Sequence, residues 1–128
     1  MKYSVDRQEK YNILKLNEEK LDSTIAPSLK SDFLTFHAEG VRNLILDLSE
    51  VKYIDSSGLS SLLVGYRVFN EANGTFTLSA VTDHVMKLIK ISQLDNVLDI
   101  LPTVQEAVDF VFMNEIENEL GEEEPEED

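Results

Sequence analysis

The chain has 128 residues and 42% hydrophobic residues, enough for one core but not two, and it reads as a globular single domain. It contains no cysteine, which excludes a disulfide framework, a thiolate metal site and a Cys nucleophile. The formal net charge of −14 argues against direct binding to nucleic acid, which needs a basic surface.

Much of that charge sits at one end. Residues 114–128 carry nine acidic side chains (Glu115, Glu117, Glu119, Glu122, Glu123, Glu124, Glu126, Glu127 and Asp128) and no Lys or Arg; removing them leaves −5 for residues 1–113. The expected organisation is a domain over residues 1–113, then the end of a last helix and an acidic tail over 114–128 that self-repulsion and Pro125 keep disordered. The opening Met1-Lys2-Tyr3-Ser4-Val5-Asp6 lacks an apolar leader core, and no apolar run approaches a membrane span. A cytoplasmic location without membrane insertion is the expectation.

In chain order, Tyr3–Arg7 and Tyr11–Leu16 flank Gln8-Glu9-Lys10 and predict a hairpin. Asp22, Ser23 and Thr24 are candidate caps for a helix from about Ile25 to Ala38, with Pro27 tolerated in its first turn and Leu29, Phe33 and Phe36 facing inward. Gly40 ends that helix. Asn43–Leu48 is a nearly continuous apolar run suited to a strand buried on both faces. Leu59, Leu62, Leu63 and Tyr66 then recur at helical spacing over Ser56 to about Ala72, where Asn73-Gly74 supplies a left-handed turn. A strand over Thr75–Val81 follows. A helix begins at Thr82 or Asp83 with Val85, Leu88 and Ile89 inward, and Val97–Leu101 is a short edge strand. Thr103 and Glu106 have the spacing of a capping box, and Val104, Ala107, Val108, Val111 and Phe112 mark the buried face of the last helix. Short apolar strands joined by helices imply an α/β fold: a mixed, largely parallel sheet with an opening hairpin and about four covering helices.

Between the central strand and helix lies Asp55-Ser56-Ser57-Gly58, small polar residues suited to a helix start, where backbone N–H groups lack intrahelical partners. By local chemistry alone, Asp55 or Ser56 is a cap and Gly58 eases packing. A hydroxyl there, once phosphorylated, would also set its phosphate beside free N–H donors and the positive end of the helix dipole.

The order apolar strand, short polar link, then Tyr53-Ile54-Asp55-Ser56-Ser57-Gly58-Leu59 with Leu62-Leu63 resembles the signature of STAS domains, most closely the bacterial anti-sigma factor antagonists. Leu21-Asp22 resembles a Gly-x-Leu-Asp element of that family, with Glu19 standing at the Gly position; Val85, Leu88, Ile89, Leu94, Glu106 and Ala107 resemble its weaker C-terminal pattern. The resemblance implies a non-enzymatic switch without cofactor. A partner Ser/Thr kinase that is also the anti-sigma factor would phosphorylate Ser56, and a phosphatase would reverse it. The implied partner surface comprises Asp22, Ser23, Thr24, Asp55, Ser56, Ser57, Gly58 and Leu59.

Other chemistries fit less well. A strand-elbow-helix hydrolase needs Gly-x-Ser-x-Gly, a frame in which neither Ser56 nor Ser57 sits, and His37 and His84 fall on other helices. No Gly-x-x-x-x-Gly-Lys-Ser/Thr loop and no metal-ligand spacing is present. A response-regulator receiver shares the alternating order but needs an acidic pair after its first strand, which is missing here. A STAS subunit of a lipid-transport ATPase complex shares the fold and is the nearer alternative.

Overall fold

The computed structural model describes residues 1–123. Residues 124–128, on which part of the disordered-tail expectation falls, lie outside them. Its strands are β1 (Tyr3–Arg7), β2 (Asn12–Leu16), β3 (Lys20–Leu21), β4 (Asn43–Asp47), β5 (Tyr53–Ile54), β6 (Thr75–Ser79) and β7 (Asp99–Leu101). Its helices are α1 (Ala26–Ala38), α2 (Ser56–Glu71), α3 (Asp83–Ile91) and α4 (Val104–Glu123), with one 3-10 turn at Leu94–Asn96.

The main sheet has the order β1-β2-β4-β6-β7. The hairpin pair β1-β2 is antiparallel and the pairs β2-β4, β4-β6 and β6-β7 are parallel. This arrangement agrees with the alternating pattern of the sequence, including the edge position of β7. Parallel neighbours need a crossover, and helices supply each one, so α2 begins at the end of the sheet where β4 finishes.

Alternation along β4 assigns the two faces. Leu44 and Leu46 join Leu14, Leu16, Leu29, Phe33, Phe36, Leu62, Phe69, Phe76 and Leu78 in the larger core, roofed by α1, α2 and α3. Ile45 points the other way, into a smaller cluster with Ala107, Val108 and Val111 of α4. Burying each such Leu, Ile or Phe contributes about 1.5–3 kcal/mol, so the larger core dominates stability. Phe33 and Phe76 meet edge-on at 5.1 Å between ring centres.

Four local expectations are corrected. The N-cap of α1 is Ile25, and none of Asp22, Ser23 and Thr24 caps it with a side chain; the Asp22 carbonyl instead accepts from Ile25 N (3.1 Å) and Ala26 N (2.8 Å). The left-handed turn expected at Asn73-Gly74 after α2 is present, carried by Asn73 at φ 61°. Strand β6 stops at Ser79, because Ala80 turns to φ 52°, and β7 starts only at Asp99, after the 3-10 turn. Phe112 is 44% exposed and not part of the buried face of α4. The capping spacing at Thr103 agrees with a bond from Glu106 N to Thr103 Oγ1 of 3.1 Å.

Candidate functional site

Two short strands that carry almost no sequence signal assemble the site. β3 and β5 have two residues each and pair in parallel, Lys20 opposite Tyr53 and Leu21 opposite Ile54. Beyond them the ladder continues in one further bond, from Asp55 N to Leu21 O at 3.3 Å. Asp22-Ser23-Thr24 on one strand and Asp55-Ser56 on the other therefore leave the ladder side by side. The Glu19 carbonyl anchors the lower end of the pair, accepting from Lys52 N (2.8 Å) and Tyr53 N (3.0 Å). Glu19 takes no positive φ, so this backbone turn does not require glycine. Its side chain lies 3.6 Å from Lys52 Nζ, an exposed pair of little energetic weight.

Asp55 is the N-cap of α2, extended at φ −114°, with Oδ1 accepting from Gly58 N at 2.9 Å. The Asp55 carbonyl accepts the first intrahelical bond, from Leu59 N at 2.9 Å. Among the described residues, the N–H groups of Ser56 and Ser57 have no acceptor, as the first turn of a helix leaves them. Ser56 is exposed, Ser57 and Leu59 are half-buried, and Gly58 is buried. A Cβ on Gly58 would stand 2.2 Å from Leu21 O and 2.5 Å from Ile54 Cγ1. The glycine lets α2 press against the β3-β5 pair, and this contact brings the two halves of the site together.

On the opposite wall, Asp22 Oδ1 accepts from both Thr24 N (3.0 Å) and the Thr24 hydroxyl. The bond from the Thr24 hydroxyl, then that from its N–H, holds the Asp22 carboxyl below its ordinary range, with a smaller contribution from the Lys20 charge opposing its slight desolvation. Asp22 stays ionised at neutral pH, on the strand end that runs alongside the one leading into Asp55 and the exposed Ser56.

Two side chains that the sequence reading did not place at the site border it. Tyr53, 44% exposed, stacks on His84 at the start of α3, with ring centres 6.4 Å apart and planes 20° apart. The Thr82 hydroxyl fastens that helix start to the β4-β5 link by donating to Val51 O at 2.6 Å. The aromatic residue just before Ile54-Asp55 was the available signal for Tyr53; nothing in the sequence signalled its pairing with His84.

Among the described residues, no hydrogen bond links the Ser56 or Ser57 hydroxyl to His37 or His84. His37 packs edge-on against Phe69 in the last turn of α1. No group of three or more His, Asp or Glu is arranged to hold a metal among the described residues, and no helix there is long and apolar enough to cross a membrane. The site offers an exposed hydroxyl at a helix start, two carboxylates and an adjacent aromatic pair, a surface for recognition.

This α/β fold, with a helix-start serine presented beside a short parallel strand pair, defines a class of domains. The chain belongs to the STAS domain family, whose model matches residues 2–107. It is 25% identical over 93 residues to an anti-sigma-B factor antagonist of Staphylococcus aureus, covering 73% of this chain and 85% of that protein. The same identity holds over 81 residues with the anti-sigma-B factor antagonist of Listeria monocytogenes, covering 63% and 71%. In fold it is similar to a putative anti-sigma factor antagonist from Thermotoga maritima, with TM-score 0.76 and 24% identity over 85% of this chain and 93% of the other.

Proposed function

We propose that this protein is an anti-sigma factor antagonist that binds an anti-sigma factor when Ser56 is unmodified and releases it when Ser56 is phosphorylated. The observation that carries the proposal is the exposure of Ser56 at the first position of α2, next to the cap Asp55 and alongside the strand end that leads into Asp22. Curated relatives named as anti-sigma-B factor antagonists support the choice of partner.

Phosphorylation adds about −1.5 to −2 charge at neutral pH. The free N–H groups of Ser56 and Ser57 and the positive end of the α2 dipole accommodate that charge, so the fold survives. The docking surface does not, because a dianion added to a surface that already carries Asp22 and Asp55 alters both its shape and its potential, and like charges forced together at an interface cost several kcal/mol. In this scheme the partner is a Ser/Thr kinase that uses ATP, and a separate phosphatase resets the switch. The protein itself contributes only the acceptor hydroxyl. Asp55 shapes the loop, Ser57 and Gly58 permit close backbone approach, and Asp22, Ser23, Thr24 and Leu59 complete the contact surface.

Titration calorimetry with the purified anti-sigma partner tests the proposal. Ser56→Asp should bind at least about tenfold more weakly, a loss of 1.4 kcal/mol or more, while Ser56→Ala should bind like the parent. Equal affinity of Ser56→Asp and the parent would contradict it and move the transporter-subunit reading ahead.

A further inference from the structure

Helix α4 has two apolar faces; one is covered by the sheet, and the other has a neighbour only at Phe112, whose ring meets Tyr11 edge-on at 6.0 Å among the described residues. Ala107, Val108 and Val111 pack beneath the sheet against Ile45. Phe112, Met113, Ile116 and Leu120 are 44%, 58%, 50% and 57% exposed. At about 3.6 residues per turn, Phe112, Ile116 and Leu120 follow one another along a single stripe, with Met113 beside it.

Length explains why the sheet cannot cover Ile116 and Leu120. A helix of 20 residues runs about 30 Å, whereas strands of five residues span about 17 Å, so the final turns of α4 project past the edge where β4 begins. Glu115 marks the last anchorage: its Oε1 accepts from Asn43 Nδ2 at 2.8 Å and lies 3.4 Å from Arg42 Nε. Ile116 and Leu120 lie beyond it.

Charge narrows what can cover this stripe. Exposed Asp109, Glu117 and Glu119 flank it, and no Lys or Arg follows Lys90 anywhere in the chain. The last turn of α4 contains no basic residue to offset the negative end of the helix dipole, and the sequence there is acidic. A second copy of this chain would set Glu117 and Glu119 against their own counterparts at a net charge of −14 per chain, and an anionic lipid surface would be repelled in the same way. One kind of occupant relieves both the exposed apolar area and the misplaced charge.

We propose that the Phe112-Ile116-Leu120 stripe, with Met113, docks a basic amphipathic helix of a partner protein, its apolar face on the stripe and its Lys and Arg side chains on Asp109, Glu117, Glu119 and the helix C-terminus. The stripe lies at the opposite end of the sheet from Ser56, so its occupancy is independent of the proposed phosphorylation switch.

The test titrates the isotope-labelled full chain with a synthetic helical peptide of Leu and Lys in amphipathic order, and with its Leu/Glu counterpart, following backbone amide shifts. The Leu/Lys peptide should bind and perturb residues 112–121, more weakly at higher salt, and the Leu/Glu peptide should not bind. Ile116→Gln with Leu120→Gln, which keeps helix propensity, should weaken binding at least about tenfold. Glu117→Gln with Glu119→Gln should flatten the salt dependence, and Ser56→Asp should change nothing. Undiminished binding by the Ile116→Gln/Leu120→Gln protein would overturn the proposal, because charge alone would then account for the interaction. A dimer in sedimentation that dissociates on the same substitution would assign the stripe to a second copy and overturn it equally.

Discussion

The start of α2 and the end of α4 are helix termini of opposite character. At the start of α2, an acidic residue sits at the positive end of the dipole, caps an N–H, and is fixed against a neighbouring strand by a glycine without room for a side chain. At the end of α4, acidic residues sit at the negative end, apolar side chains face outward, and a Cβ on Gly121 would meet nothing within 4 Å. In the first region the fold dictates Asp55 and Gly58, and Ser56 between them is left exposed. In the second the fold constrains little beyond Glu115, and the proposed partner helix would account for its apolar and acidic composition. A residue free within a rigid frame and a segment free of any frame are two different signs of function.

Substitutions at the two glycines break this comparison most directly. Gly58→Ala should cost about 2–3 kcal/mol in urea unfolding, because the new methyl must displace Leu21 O and Ile54 and with them the β3-β5 pair. Amide exchange at Asp55 should rise in parallel; an unchanged midpoint would show that α2 does not depend on this contact. Asp55→Ala removes the bond to Gly58 N and should cost about 1 kcal/mol, with fraying confined to the first turn of α2 by amide exchange.

At the other terminus the sign reverses. Gly121→Ala should leave stability unchanged or raise it by less than about 1 kcal/mol, since alanine favours helix and no neighbour resists it. A loss of stability there would mean that α4 is packed at its end after all.

The smallest effect concerns Asp22. Its carboxyl is held below the ordinary range chiefly by the Thr24 hydroxyl and then the Thr24 N–H. A depressed folded value means that the contribution of these bonds is present above the unfolded carboxyl range and is lost as pH falls through the folded value. The Thr24 amide signal should therefore titrate at a pH below that of a free Asp, and Thr24→Val should move the midpoint upward. Because Asp22 lies at the surface and bonds only within its own turn, this is a local ordering effect and should leave the global unfolding midpoint at neutral pH unchanged.

Periodicity made the main sheet and its helices legible. Leu44, Ile45 and Leu46 announced a strand buried on both faces, and Leu59, Leu62 and Tyr66 announced the helix after it. Ser56 was legible as a helix-start residue for the same reason. The β3-β5 pair was not, because strands of two residues leave no alternation to read, and it is this pair that sets Asp22 beside Asp55. The cap of α1 was misassigned because Asp22, Ser23 and Thr24 all favour cap positions, while the actual cap, Ile25, follows a turn closed by the Asp22 carbonyl. Helical spacing places Phe112 inward because it registers that a residue is apolar, but not that it stands at the margin of the buried face, where its ring meets Tyr11 edge-on and stays 44% exposed.

The most direct test of the Ser56 switch is mass-spectrometric mapping of the full chain after incubation with its partner kinase and ATP. The account predicts a single phosphate on Ser56, absent from Ser56→Ala and retained in Ser57→Ala. A phosphate that maps to Ser57 or to any other residue, or that persists in Ser56→Ala, would contradict it.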